Sequence, residues 1–315
     1  MAKLLLVDGS ALLHRAYHAY PPFTTKSGVV VGAVYGVASI LISAIEEVKP
    51  SHLMVAWDLP KPTFRHLKYV GYKAQRPKAD SEMVEQIPLV KDVIETMGVV
   101  QVAEEGYEAD DIIGTLSATA DSRFKILDSR EDVEVVILTG DQDTMQLVND
   151  DVRVLTPAKG QNPPVLYGPD EVWNKYGVHP EQIVDYKALV GDPSDNIPGV
   201  AGIGPKGAAQ LLKMFGTLER IYLDIKEVQV HFGELVAKKL MDGKDSAMLS
   251  QDLSRIVRDM NLKVTMEEME YKGLQGESLK AKFEELNFKS LVRRVFPDSA
   301  DNKRKLKNEN QMGLF

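Results

Sequence analysis

Nine carboxylates, spread over nearly two hundred residues, stand where an α/β chain turns its side chains toward one crevice. Asp8, Asp58 and Asp141 each close an apolar, strand-like run: LLLVD, LMVAWD and VVILTGD. Glu108, Asp110 and Asp111 open a helical pattern in GYEADDIIGTL; Asp143 follows Asp141 in GDQD; Asp192 and Asp195 flank a turn in GDPSDNIPG. Ligands of open parallel sheets bind at the carboxyl ends of strands. Nine acids focused there would repel one another by several kcal/mol unless cations lay between them. Mg²⁺ and Mn²⁺ prefer oxygen ligands, and Mg²⁺ takes only one or two carboxylates directly while keeping waters. The set therefore exceeds one inner shell and suits two Mg²⁺ ions, with Mn²⁺ able to substitute, some acids acting through water. Such a metal pair serves phosphodiester hydrolysis, activating a water and stabilising the leaving oxygen. The plainer reading, acids as helix caps and dipole partners, suits Asp110 alone but not all nine together.

Residues 61–80 (KPTFRHLKYVGYKAQRPKAD) are the basic counterweight, with Lys61, Arg65, Lys68, Lys73, Arg76 and Lys78 interleaved with Phe64, Tyr69 and Tyr72. Cations grip phosphates and aromatic faces stack on unpaired bases. By itself the stretch would read as a solvated loop; directly after Asp58 it reads as a lid over the acids. In NIPGVAGIGPKG (196–207), Gly202, Gly204 and Gly207 fit the spacing G-x-G-x-x-G, but the motif follows a turn containing Pro198 rather than a strand, so a dinucleotide site is rejected. Glycines ahead of a helix starting near Lys206 would instead offer backbone N–H groups to a phosphate, gripping a duplex without reading its sequence. No P-loop and no G-x-S-x-G is present, and His14 and His18 form a spacing pair without a second set, which favours packing or surface roles.

The elements that must position these residues follow from the hydrophobic pattern. Up to about residue 155, strand and helix signals alternate: strands at 4–7, 52–57, 99–102, 133–138 and 152–155, with helices at 32–48, 81–97 and 109–120. Ser81 is the expected N-cap of the second of these helices, and Pro88 is expected to kink it. Alternation of this kind means βαβ units and a mainly parallel sheet flanked by helices. From Pro169 the pattern turns helical, with segments at 170–176, 180–189 and 206–215. The division expected is an α/β catalytic domain at 1–168 with the basic arch near 61–90, a helical DNA-binding part at 169–296, and a flexible tail at 297–315. The chain has no cysteine and no apolar run of 18 residues, so disulfides and thiolate metal sites are excluded and a cytoplasmic location is expected. Net charge is −8, but the nine acids carry −9 between them, leaving the remainder near +1; the total is weak evidence against DNA.

Taken in order, LLLVDGSALLHRAYHA, TFRHLKYVGYKAQRP, GYEADDIIGTL, ILTGDQDTMQLV and LVGDPSDNIPGVAGIGPKGAAQLL resemble the 5′-nuclease (flap endonuclease) family, over about residues 3–296. The resemblance implies a PIN-like, resolvase-like fold and a metal-dependent, structure-selective nuclease for 5′ flaps, nicks and RNA-primed ends, acting as a monomer in replication and repair near the nucleoid. It implies one metal site from Asp8, Asp58, Glu108, Asp110 and Asp111 with Asp141 and Asp143 nearby, completed by Asp192 and Asp195 at a second. It places Lys73 and Arg76 on arch positions that steer the scissile phosphate, and Arg15 on a phosphate contact in the first helix. The glycine hairpin resembles the family's helix–three-turn–helix, near 185–215, where Gly202, Gly204, Lys206 and Gly207 meet DNA and backbone carbonyls hold K⁺. Two departures are visible: Lys61-Pro62-Thr63-Phe64 replaces a typical GKTTF, bearing on loop flexibility, and residues 121–134 look longer than the usual connection.

The chain ends in Gln311-Met312-Gly313-Leu314-Phe315. An apolar anchor on a polar tether is a docking device, and Gln311, Leu314 and Phe315 resemble the Q-x-x-L-F peptide by which bacterial replication proteins bind the sliding clamp. Two other readings stand beside the nuclease. One is a ribonuclease with a related acidic cluster, against which the hairpin and helical half argue; the other is a flap-binding scaffold, against which the full acid set argues.

Overall fold

In the computed structural model, which describes residues 2–123, 133–158, 160–274 and 276–297, six strands form one sheet in the order β3-β2-β1-β4-β5-β6. They are β1 (Ala2–Asp8), β2 (His52–Ala56), β3 (Val100–Val102), β4 (Val133–Leu138), β5 (Val152–Thr156) and β6 (Val165–Tyr167). Neighbours run parallel except β5 and β6, which are antiparallel. The mainly parallel sheet is the one the alternation predicts. β6 is the addition: three residues behind Pro163 and Pro164 carry no strand period, and prolines confine such a segment to an edge.

The helices are α1 (Gly9–Ala19), α2 (Gly32–Val48), α3 (Phe64–Lys68), α4 (Ser81–Thr96) and α5 (Ala109–Arg123). After the sheet come α6 (Pro169–Tyr176), α7 (Ile183–Val190), α8 (Pro205–Phe215), α9 (Leu218–Leu223), α10 (Ile225–Phe232), α11 (Glu234–Asp242), α12 (Lys244–Ser254), α13 (Glu277–Glu285) and α14 (Lys289–Val295). At α4 the cap is Asp80, whose side chain accepts from the Glu82 N–H, so Ser81 is the first helical residue rather than the cap; Pro88 sits inside the helix. Either residue type can cap, and the carboxylate one position earlier wins here.

A parallel strand buried on both faces splits its side chains between two cores. In β1, Leu4 and Leu6 face one core with Met54, Val135, Ile137 and α5's Ile112 and Ile113. Leu5 and Val7 face the other, with Leu53, Val55, Val136 and the apolar stripes of α1, α2 and α4. The first core continues into the helical half through Ile183, Leu189, Leu211 and Leu240. The second takes Leu279, Phe283, Phe288 and Leu291 from α13 and α14. The stretch 169–296 is therefore shared between the two faces of the sheet: α13 returns to pack against α4 and α14 beside α2. The expected longer connection at 121–134 falls largely outside the described residues, as does the tail with its QMGLF end. Among the described residues no helix is long and apolar enough to cross a membrane.

β1 lies between β2 and β4, so the strand order reverses there and a crevice opens beyond the carboxyl ends of β1 and β4. Close approach at that edge requires Gly9: a Cβ there would stand 2.7 Å from Val55 Cγ1 and 2.8 Å from the Trp57 ring.

Candidate metal centre and nucleic-acid interface

The end of β1 delivers Asp8, which also caps α1. Its Oδ1 accepts from the Ala11 N–H at 2.9 Å and its Oδ2 from the Thr139 hydroxyl at 2.9 Å. Asp58, two residues beyond β2, accepts from the Ala109 N–H at 2.8 Å and so caps the entry to α5. Asp141, beyond β4, accepts from the Asp143 N–H at 2.9 Å. Asp110 points into the same crevice from the first turn of α5, and its Oδ1 is buried without a hydrogen-bond partner. Burial, then the charges of Asp58 and Asp141, push Asp8 up to about 7 against the pull of its two donors. Burial and the neighbouring charges of Asp141, Asp8, Asp58 and Glu108 hold Asp110 well above the carboxylate range. Asp141 is raised too, chiefly by burial, against the attraction of Lys187. Strand ends and a helix start thus force acids together at the cost of their charged forms.

The remaining acids are met by cations. Lys73, in the left-handed region at φ 53°, donates to Glu108 at 2.9 Å, and its own N–H donates to the Asp195 carbonyl at 2.9 Å. Burial works against the Lys73 ammonium, but Glu108 and Asp195 outweigh it and raise its pKa. Arg76 pairs with Asp195 at 2.5 Å, and the Tyr72 hydroxyl donates to Glu108 at 3.0 Å and Asp195 at 3.2 Å. Tyr72 is buried, so its ring is packed rather than offered for stacking on a base. Asp192 and Asp195 are brought to the crevice by a tight turn after α7: Asp192 and Ile197 pair across it. Gly199, at φ +63°, closes it where a Cβ would lie 2.3 Å from the Gly191 nitrogen. Lys187, on α7, pairs with Asp192 at 2.7 Å and also with Asp143. Burial raises Asp192, yet Lys187 and Ser194 overrule it and lower the carboxyl to about 2.

Asp111 stands apart from the expectation that it ligates metal. It is fully buried, and Arg65 holds both its oxygens, at 2.7 and 2.8 Å. The Val257 and Glu108 N–H groups donate to the same two oxygens. One helical position after Asp110 turns the side chain about 100° away from the crevice, which spacing along GYEADD could not separate. Among the described residues no three acids close into a ligating shell as placed; the ammonium groups of Lys73 and Lys187 stand between them. The all-oxygen donor set, the unpaired buried oxygen of Asp110 and the raised carboxyls nevertheless fit a divalent cation, which would take the place of protons and lysines.

Sequence reasoning missed Lys187, although it precedes Asp192 by little more than a helical turn, and Thr139, which orients Asp8. It took Arg65 for one of several arch cations. Arg15 donates to the Pro157 carbonyl at 2.9 Å and also to that of Ala158, so it is latched to the loop after β5. Gly204 is the N-cap of α8, Pro205 its first residue, and Lys206 and Gly207 lie in its first turn; Lys239 donates to the Gly202 carbonyl at 3.2 Å. His14 is exposed at the surface, and partial desolvation together with His18 lowers its pKa.

Residues 3–177 match the family described as 5′-3′ exonuclease, N-terminal resolvase-like domain, and residues 178–277 match its 5′-3′ exonuclease, C-terminal SAM fold. DNA polymerase I of Bacillus subtilis is 40% identical over 299 residues, covering 95% of this chain and 33% of that protein. DNA polymerase I of Mycobacterium tuberculosis is 35% identical over 295 residues, 93% of this chain and 31% of that one. The chain thus spans about a third of the length of these relatives. Among solved structures, a bacteriophage T5 flap endonuclease in complex with DNA and metal ions shares the fold. Its TM-score is 0.63 at 21% identity, covering 80% of this chain and 88% of that one. The catalytic core of Rad2 with a DNA substrate does so at TM-score 0.58 and 14% identity, covering 93% and 91%. With residues 3–177 and 178–277 matched by its two domain models, this chain belongs to the 5′-3′ exonuclease family.

Proposed function

We propose that this chain is a structure-selective, metal-dependent 5′→3′ exonuclease and 5′-flap endonuclease acting on branched or nicked DNA, with RNA-primed ends within its range. The observation that carries this reading is the acid crevice at the sheet's switch point, with an unpaired buried Asp110 oxygen and an Asp8 carboxyl raised to about 7. Such a site is costly as it stands and gains from divalent cations. The reading is supported by membership of the family and by neighbours described with metal ions and DNA.

Bound in the crevice, two Mg²⁺ ions, or Mn²⁺ in their place, would supply an activated water and neutralise the leaving 3′ oxygen. Asp8, Asp58, Glu108, Asp110 and Asp141 would hold the first; Asp143, Asp192 and Asp195 would hold the second once Lys187 gives way. Asp111 serves the first site through the Glu108 backbone it anchors. Lys73 and Arg76, now paired with Glu108 and Asp195, are placed to exchange those carboxylates for the scissile phosphate and to stabilise charge developing on it. Arg15 would take a neighbouring phosphate on release from the 157–158 carbonyls. The α7–α8 hairpin, with Gly202, Gly204, Lys206 and Gly207, would hold the duplex backbone. Backbone carbonyls of the hairpin would hold K⁺. Gln311, Leu314 and Phe315 would dock a monomer onto a bacterial sliding clamp, and these partners would keep it with the nucleoid in the cytoplasm.

Comparison of a 5′-flap duplex, single-stranded DNA and structured RNA under Mg²⁺, beside Asp192→Ala, tests the reading. Preferential cutting of the flap near its junction, weakened in the variant, is expected; preference for RNA would favour the ribonuclease, and tight flap binding without any cutting would favour a scaffold.

A further inference from the structure

One guanidinium links the base of the arch, the start of α5 and the end of α12. Arg65, in α3 at the base of the arch, is 3% exposed, and its partner Asp111 is 0% exposed. Its Nη1 and Nη2 grip the two Asp111 oxygens at 2.7 and 2.8 Å, on the helix that carries Glu108 and Asp110 into the site. Nη1 also reaches Glu108 Oε2 at 3.4 Å. The remaining donors go the other way: Nε to the Leu253 carbonyl and Nη2 to the Arg255 carbonyl, both at 2.9 Å, at the end of α12. Asp111 repeats the link by accepting from the Val257 N–H at 2.9 Å. Helix α12 in turn bears Ser250, whose hydroxyl accepts from the Gly199 N–H at 3.0 Å and so fixes the turn that presents Asp192 and Asp195. Burial opposes the charged guanidinium, but Asp111 and Glu108 outweigh it and raise its pKa further.

We propose that Arg65 is a positioning residue that sets the separation of the two acid groups, tying the arch base and the Glu108–Asp111 turn to the α12 backbone that supports Asp192 and Asp195. The inference rests on the nuclease reading. A planar fork with donors on three nitrogens can satisfy a carboxylate on one side and two carbonyls on the other; a lysine has one nitrogen and cannot span both. Its arms to Asp111 and to the Leu253 carbonyl are buried, where low dielectric strengthens each hydrogen bond. A bystander role, in which Arg65 only holds the fold together, would lower stability without separating chemistry from binding.

The test is the single-turnover cleavage rate at saturating flap DNA and Mg²⁺, with flap affinity and thermal stability measured separately in EDTA, for the parent, Arg65→Lys, Asp111→Asn and the double variant. Arg65→Lys is expected to cut about 10- to 100-fold more slowly, as for groups that orient a ligand, with flap affinity in EDTA kept within about twofold of the parent, and the double variant to lose no more rate than the worse single one. If Arg65→Lys does not fold, Asp111→Asn carries the same expectation. Parental rates in the folded variants, a fall in affinity equal to the fall in rate, or fully multiplicative losses would overturn the proposal. Whether the parent cuts at all judges the nuclease reading; the ratio of variant to parent judges this one.

Discussion

Removing metal and raising pH is expected to weaken the folded protein at the acid crevice, by an amount that follows from Asp8. Its carboxyl is raised from 3.8 to about 7, by burial first and then by Asp58 and Asp141. Between those values the folded protein keeps a proton that the unfolded chain has released. Stability therefore falls as pH rises, by up to about 1.4 kcal/mol per pH unit for one group. Over the interval from about pH 4 to about pH 7 this amounts to a few kcal/mol, on the order of 4 at most, shared between Asp8 and the neighbouring acid it titrates with. Asp110 and Asp141 are shifted in the same direction and add to the slope. Asp192 works oppositely but elsewhere: lowered to about 2, it contributes stability above about pH 4 that is lost as the pH falls toward 2. Urea denaturation followed by circular dichroism across this range, in EDTA and in Mg²⁺, measures the slope. A cation that replaces the protons is expected to flatten or reverse it. Asp8→Asn, which cannot ionise, is expected to remove its share in EDTA. Stability that stays level or rises with pH in EDTA, or an Asp8→Asn slope equal to the parent's, would refute the reasoning.

Other outcomes follow from single residues. Lys187→Met removes the cation shared by Asp143 and Asp192; at this mostly buried site, with side chains 12–15% exposed, leaving the acids unpaired is expected to cost about 3 kcal/mol near neutral pH, read by the same denaturation, and no change would mean the pair is idle. Lys73→Ala is expected to slow cleavage by about 100- to 1000-fold with a much smaller loss in flap affinity; an equal loss in both would make Lys73 a binding contact only. Deleting residues 311–315 is expected to abolish binding to a bacterial sliding clamp, measured by surface plasmon resonance, while leaving flap cleavage intact; unchanged clamp affinity removes the docking proposal.

Much of this arrangement is legible because strand ends are local. Runs such as LLLVD and VVILTGD mark both a buried strand and the residue delivered at its carboxyl end, so the sheet and the group Asp8, Asp58 and Asp141 follow together from one pattern. The turn presenting Asp192 and Asp195 is equally local, being written in its glycines and prolines. What spacing could not show is where partners lie 40 to 190 residues apart. Arg65 reads like its neighbours Lys68 and Lys73, yet it is buried because Asp111 and the α12 carbonyls come to meet it. Asp110 and Asp111 are adjacent in sequence, but one helical step sends one into the crevice and the other into a buried ion pair. The return of α13 to α4 and of α14 to α2 was equally hidden, since an amphipathic stripe does not name its partner.

The most direct test of the central claim is cleavage of a 5′-labelled flap duplex by the purified protein in Mg²⁺ and in EDTA, with Asp8→Asn alongside and flap binding measured in each case. Cutting near the junction in Mg²⁺ only, with the variant still binding but no longer cutting, is the predicted result. Binding without cutting under Mg²⁺ and Mn²⁺ alike, or cutting that survives both EDTA and Asp8→Asn, would contradict it.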